Sequence, residues 1–208
     1  MRKLLVAFFM LPLLVACMAS KPTAMAPSAP AQKALPAPTD MSKAEANDNP
    51  FAAAASSINV SNLFEYLGRD DVFYIDLRDF GDYQKKHLRN FECVPFFAYI
   101  YDKAAHTDAS KVQLYGGETK SPVPIYAESD DLLEVLIPKD KTVFLMCQSG
   151  GRVAMCMQIL EARGWDMSKI YNVGGMGQYT ASQYADYTVN APEFGVNAAY
   201  TINDVTRN

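Results

Sequence analysis

Cys147 runs directly into Gln148-Ser149-Gly150-Gly151-Arg152, a stretch whose residue types suit nucleophilic chemistry. A cysteine attacks as its thiolate, so the surroundings must favour the anion. Two adjacent glycines let the backbone curl with several N–H groups turned inward, an anion-cradling nest. A helix beginning just after them adds its positive dipole end. Arg152 supplies a fixed cation that could attract an anionic substrate or brace the loop. The competing reading is a buried structural cysteine before an ordinary glycine turn. Its place at the end of an apolar run, before Gly-Gly and an arginine, favours the nucleophile.

The other reactive types are less pointed. His87 could serve as an acid–base group, while His106 lies in a polar stretch and reads as solvated. Two histidines without Cys-x-x-Cys or His-x-x-x-His spacing give no metal site. No cofactor motif stands out. Cys156 falls nine residues past Cys147, between Met155 and Met157, and reads as core packing. Cys93 as a resolving partner for Cys147 is a minority reading.

The elements that must position Cys147 follow from periodicity. Val143-Phe144-Leu145-Met146 is an apolar run that reads as a buried parallel strand. Val153 to Arg163 reads as a helix closed by Gly164. Upstream, Ser61 is placed to cap a short helix carrying Leu63, Phe64 and Leu67, with Gly68 ending it. Val72-Phe73-Tyr74-Ile75 reads as a strand with Asp76 at its end, and Val94-Pro95-Phe96-Phe97 as a second. Helices alternating with strands predict an α/β fold with a mainly parallel sheet. In such sheets the site gathers at the carboxyl ends of strands, where Asp76 and Cys147 both fall.

Composition divides the chain further. Residues 1–17 begin with Arg2 and Lys3 and continue as an apolar stretch too short for a comfortable membrane span, as a secretory signal does. The stretch ends in Leu14-Val15-Ala16-Cys17, which looks like the lipobox of bacterial lipoproteins and implies lipidation of Cys17. Met18 follows in place of Asp, and by resemblance to Gram-negative sorting rules that implies the periplasmic face of the outer membrane. Residues 18–57 hold six of the twelve prolines among many alanines, and read as a disordered tether. Without Arg2 and Lys3, 17 basic residues face 23 acidic ones, a net charge of −6. No Lys/Arg cluster stands out, which argues against a nucleic-acid partner. With Cys17 lipidated, Cys93, Cys147 and Cys156 remain, so a Cys93–Cys156 disulfide with a free Cys147, or no disulfide, are both open.

Three ordered motifs then give the chain its resemblance. Asp76, Arg78, Asp82, Tyr83, His87, Leu88 and Pro95 form the first, Cys147, Gly150 and Arg152 the second, and Gly174-Gly175 after Ile170–Val173 the third. Over residues 58–180 the chain resembles a rhodanese domain. Lys86, Asn90, Cys93 and Val153 stand where that pattern usually has Gly, Gly, Asn and Ser or Thr. The resemblance implies a sulfurtransferase: the Cys147 thiolate takes the sulfane sulfur of a donor such as thiosulfate. The persulfide is held by N–H groups of Gln148, Ser149, Gly150, Gly151 and Arg152, then passed to cyanide or a cellular thiol, small or on a protein. It also implies that Asp76 and Arg78 support the loop and that His87 lies in a structural turn. Cysteine phosphatases have a similar loop with five residues between Cys and Arg; the four here suit a sulfur atom better than an oxyanion.

Two regions exceed a minimal domain. Residues 98–128 are either a lid selecting the acceptor or a surface insertion without a role. They lead into a helix start at Ser129-Asp130-Asp131. Residues 181–208 carry Tyr184, Tyr187, Phe194 and Tyr200, which suggest packing against the domain or a partner. Two function classes follow: a lipid-anchored sulfurtransferase of the cell envelope, or a tethered binding module on the same fold.

Overall fold

A computed structural model of the protein describes residues 32–44 and 49–208. The expected signal, the lipobox cysteine Cys17 and the first part of the expected tether lie outside the described residues. A short helix, α1 (Met41–Ala44), opens the described chain. The sheet begins with β1 (Val72–Asp76), followed by α2 (Phe80–Lys85), β2 (Lys86–Leu88) and β3 (Glu92–Cys93). A hairpin of β4 (Tyr115–Glu118) and β5 (Ser121–Pro124) precedes α3 (Ser129–Leu136). Then come β6 (Thr142–Cys147), α4 (Gly151–Ala162), β7 (Ile170–Gly175) and β8 (Thr188–Asn190).

The central sheet has the order β3-β1-β6-β7, and every pairing in it is parallel. Its strands alternate between two cores, as period-two side chains must. Val143, Leu145 and Cys147 face the core shared with α3 and α4, together with Val153, Cys156, Leu160 and Trp165. Phe144 and Met146 face the opposite core, with Leu63, Tyr74, Tyr171, Tyr179 and Tyr184. Burial on both faces explains why the β6 run is apolar throughout. The expected α/β fold with a parallel sheet is the observed one.

Four local expectations change. The second strand lies at Glu92–Cys93 instead of Val94–Phe97; Pro95 has no N–H for a ladder, and Phe96–Ile100 winds into a single π-helical turn. The helix expected after Ser61 is a 3-10 turn at Leu63–Tyr66, preceded by Asn62. There the Asn59 carboxamide oxygen accepts from the Ser61 N–H and hydroxyl, occupying the expected cap.

Residues 32–44 and 49–57 are not a free tether. Phe51 and Ala55 are buried, Thr39 bridges Ser56, and the Tyr171 hydroxyl donates to the Pro36 carbonyl at 2.6 Å. Their Ala/Pro composition builds no core of its own, but the segment borrows one from the domain beside β7. The 98–128 region is not an idle surface insertion: Tyr101, Leu114, Tyr115, Ile125 and Tyr126 are core residues. The Tyr115 hydroxyl bonds the Asp130 carboxylate, which also pairs with Arg163, so the hairpin is tied to α3 and to the C-terminal end of α4. In the C-terminal region Tyr184 is buried and β8 pairs antiparallel with β2, whereas Phe194 stays exposed.

Candidate active site

Strand β6 carries Cys147 to its carboxyl end and stops, because the chain must turn through Gln148 and Ser149 to start α4. Gly150 makes that turn with φ +95°, a left-handed conformation open mainly to glycine. Its N–H donates to the Cys147 sulfur at 3.1 Å. The helix then begins at Gly151, placing the sulfur beside its N-terminus. Cys147 itself is only 1% exposed, while the side chains of Gln148 and Ser149 reach solvent.

Arg152, on the first turn of α4, is partly buried. Its guanidinium lies 5.7 Å from the Phe97 ring centroid and 4.0 Å from the Asp79 carboxylate. Neither Phe97 nor Asp79 stood out in the sequence as a site residue; only the fold brings the 79–97 stretch against α4.

Asp76 ends β1 directly beside Met146 in the register, one residue short of Cys147. Arg78 folds back on it: Nη2 reaches one carboxylate oxygen at 2.6 Å, and Nε lies 3.0 Å from both. The same Nη2 donates to the Lys86 carbonyl at 2.6 Å, closing α2 and β2 onto the end of β1. None of the pair's side-chain hydrogen bonds reaches residues 147–152. Burial pushes the Asp76 carboxyl above its ordinary value, against the pull of Arg78. His87 stacks on Tyr83 and its Nδ1 lies 2.8 Å from the Tyr83 carbonyl, on the antiparallel β2–β8 pair.

The family of proteins described as rhodanese-like domains matches residues 60–182, more than half of the chain. The chain belongs to that family. Among solved structures it is similar to a rhodanese from E. coli, described with anions, at 17% identity and a TM-score of 0.34. That match covers 58% of this chain and 99% of the other. It is also similar to the rhodanese-like domain of an Anabaena protein, solved in solution, at 11% identity and a TM-score of 0.39, covering 72% and 93%. No curated protein resembles the chain closely enough to count as a match.

In this rhodanese-like domain the paired glycines of β7 have a spatial reason. Leu145 pairs with Asn172 but Cys147 with Gly175, so β7 carries one extra residue, a bulge beside the cysteine loop. Gly175 has ordinary extended dihedrals, yet a Cβ there would sit 2.1 Å from the Gln148 carbonyl carbon and oxygen and 2.2 Å from the Ser149 nitrogen. Those are backbone atoms and cannot swing away. Gly175→Ala is therefore expected to cost about 1–3 kcal/mol of stability by overpacking. By displacing the loop it is expected to slow reaction at Cys147 by about a hundredfold. Denaturant unfolding and the rate of Cys147 alkylation measure the two effects.

The remaining thiols are free in the structure and poorly suited to attack. Burial, then the Asp76 charge, push the half-buried Cys93 up to about 12, and burial raises the enclosed Cys156 further. Among the described residues no three His, Cys, Asp or Glu are gathered so as to hold a metal ion, and no helix is long and apolar enough to cross a membrane.

Proposed function

We propose that the protein is a sulfurtransferase of the bacterial cell envelope, lipid-anchored through Cys17 at the periplasmic face of the outer membrane. The Cys147 thiolate attacks the outer sulfur of thiosulfate or another sulfane donor. A new S–S bond forms, the donor's S–S bond breaks, and its electron pair leaves with sulfite when the donor is thiosulfate, or with the donor's thiolate when it is a persulfide. The terminal sulfur of the resulting persulfide carries the negative charge. An incoming thiolate, small or on a protein, or cyanide, then bonds that sulfur and the Cys147 thiolate departs.

The observation that carries this reading is the Gly150 N–H at 3.1 Å from the Cys147 sulfur, in a four-residue turn at the N-terminus of α4. An N–H aimed at the sulfur at the start of a helix supports a sulfur-centred anion held on Cys147. Arg152, partly exposed beside Asp79 and Phe97, supports attraction of an anionic donor to the mouth of the loop.

The test is intact-protein mass spectrometry of the reduced full-length chain after incubation with thiosulfate. A gain of one sulfur atom, mapped to the peptide holding Cys147 and removed by added thiol, is the expected result. The 1% exposure of Cys147 favours a second reading, a tethered binding module whose thiol is incidental. No mass gain with any sulfane donor, on a chain whose Cys147 still alkylates, would select that reading. For the anchor, Cys17→Ala is expected to move most of the protein from the membrane to the soluble fraction on cell fractionation; unchanged membrane association would refute lipidation.

A further inference from the structure

Strand β7 reads Ile-Tyr-Asn-Val-Gly-Gly, and its one carboxamide side chain, Asn172, is 3% exposed. A buried carboxamide must find partners, and here they lie on three separate segments. Nδ2 donates to the Phe51 carbonyl at 2.7 Å and to the Gly150 carbonyl at 3.1 Å. Oδ1 accepts from the Gly174 N–H at 3.0 Å, within the β7 bulge. Two carbonyls and one N–H admit only one orientation of the amide.

Gly150 is the residue whose N–H meets the sulfur, and it is held from several sides. Its carbonyl accepts from both Asn172 and the Ala154 N–H. A Cβ at Gly150 would lie 2.6 Å from the Ala53 Cβ, 3.3 Å from Asn172 Oδ1 and 3.4 Å from the Gly174 Cα. Ala53 and Phe51 belong to the segment that precedes the matched domain and connects it to the chain's N-terminal part. An open cavity of about 270 Å³ beside this contact is lined by Asn49, Ala52 and Ala53 together with Ser149, Gly150 and Gly151.

We propose that Asn172 is a positioning residue, and that with it the segment 49–55 is a working part of the active site. Asn172 ties the Phe51 carbonyl to the Gly150 carbonyl and so fixes the Gly150 N–H on the Cys147 sulfur. The inference rests on Cys147 being the reactive thiol of the proposed function, not on what that thiol transfers. It makes the reactivity of the thiol depend on a segment outside the catalytic motif.

The test reads the thiolate without any sulfur donor. Full-length protein and its Asn172→Ala and Ala53→Leu variants are treated with iodoacetamide across a pH series. Alkylation at Cys147 is followed by peptide mapping, and thermal unfolding is recorded in parallel. Losing the hold on one charge-assisted hydrogen bond is expected to slow alkylation near neutral pH by about tenfold and to move the pH profile upward. A merely structural role predicts the opposite: a loosened loop exposes the sulfur and speeds alkylation at every pH. Ala53→Leu pushes on Gly150 from the segment while leaving the Asn172 bonds available, so it decides the matter if Asn172→Ala fails to fold. An unmoved profile, or faster reaction without a shift, in either folded variant overturns the proposal. Failure of the protein to take sulfur from thiosulfate would overturn the sulfurtransferase reading and leave this measurement intact.

Discussion

Cys147→Ser is expected to abolish the sulfur mass gain and to lower any sulfur-transfer rate by at least about a thousandfold, since the proposed nucleophile is removed. The serine hydroxyl stays protonated at neutral pH, and nothing in the site is placed to take its proton. Its oxygen can occupy the sulfur's position and accept from the Gly150 N–H, so the loop has no reason to rearrange. Stability is accordingly expected to change by no more than about 1 kcal/mol. The other thiols are poor substitutes. Cys93 sits on β3, separated from β6 by β1, and its burial holds it protonated; Cys156 is enclosed in the core. A mass gain that survives in Cys147→Ser would place the sulfur on one of them and sink the mechanism.

Arg78→Ala is expected to cost about 3–5 kcal/mol, the range for breaking a buried ion pair by removing one partner. Asp76 is fully buried and its side chain accepts from Arg78: from the guanidinium at 2.6 and 3.0 Å and from the Arg78 backbone N–H at 3.0 Å. Losing the guanidinium also strips the Lys86 carbonyl of its 2.6 Å donor. Against a typical total of about 5–15 kcal/mol, most of the folded population of a marginal domain could go. Arg78→Lys is expected to recover less than half of the loss, because one ammonium cannot span both carboxylate oxygens and the carbonyl.

The pH dependence of that deficit has a definite sign. Burial already raises the Asp76 carboxyl, and without the Arg78 guanidinium only the backbone N–H of residue 78 and the more distant Arg152 charge oppose it. A folded-state value above the unfolded one means that the protonated form suits the fold. Its contribution is complete below the unfolded value and is lost as pH rises through the folded one. The Arg78→Ala deficit should therefore be smaller at about pH 4 than at about pH 7. Denaturant unfolding of both chains at the two pH values checks this. A deficit that grows toward acid would mean that Asp76 is not carrying the cost.

Much of the site was legible because its signals are local. An apolar run of strand length, a cysteine at its end, Gly-Gly and then a helical period are all written within the residues 143–164. So is the Asp-x-Arg spacing, which lets Arg78 fold back onto Asp76 two residues away. The closing glycine was readable for the same reason: Gly164 takes φ +84° just past α4, where a left-handed residue ends a helix. Spacing also marked Gly174-Gly175, although only the approach of Gln148 shows why a Cβ is excluded there.

What the sequence did not disclose depends on contacts between distant segments. Alanines and prolines describe a free tether and an extended segment lying on a neighbour equally well, since neither builds a core alone. The Phe51–Asn172 bond spans 121 positions, and no local pattern encodes it. Asn172 did leave one trace, a polar residue in an otherwise apolar strand, without naming its partners. The strand expected at Val94–Phe97 moved to Glu92–Cys93 because those two residues pair with Ile75 and Asp76. The sequence by itself determined the parallel α/β sheet, the place of Cys147 at the end of its strand and the glycine turn that follows it, because adjacent residues and their periods dictate each of these. The tertiary structure alone decided which segments enclose that turn, because burying an edge strand and satisfying a buried amide require whichever chain the fold brings there.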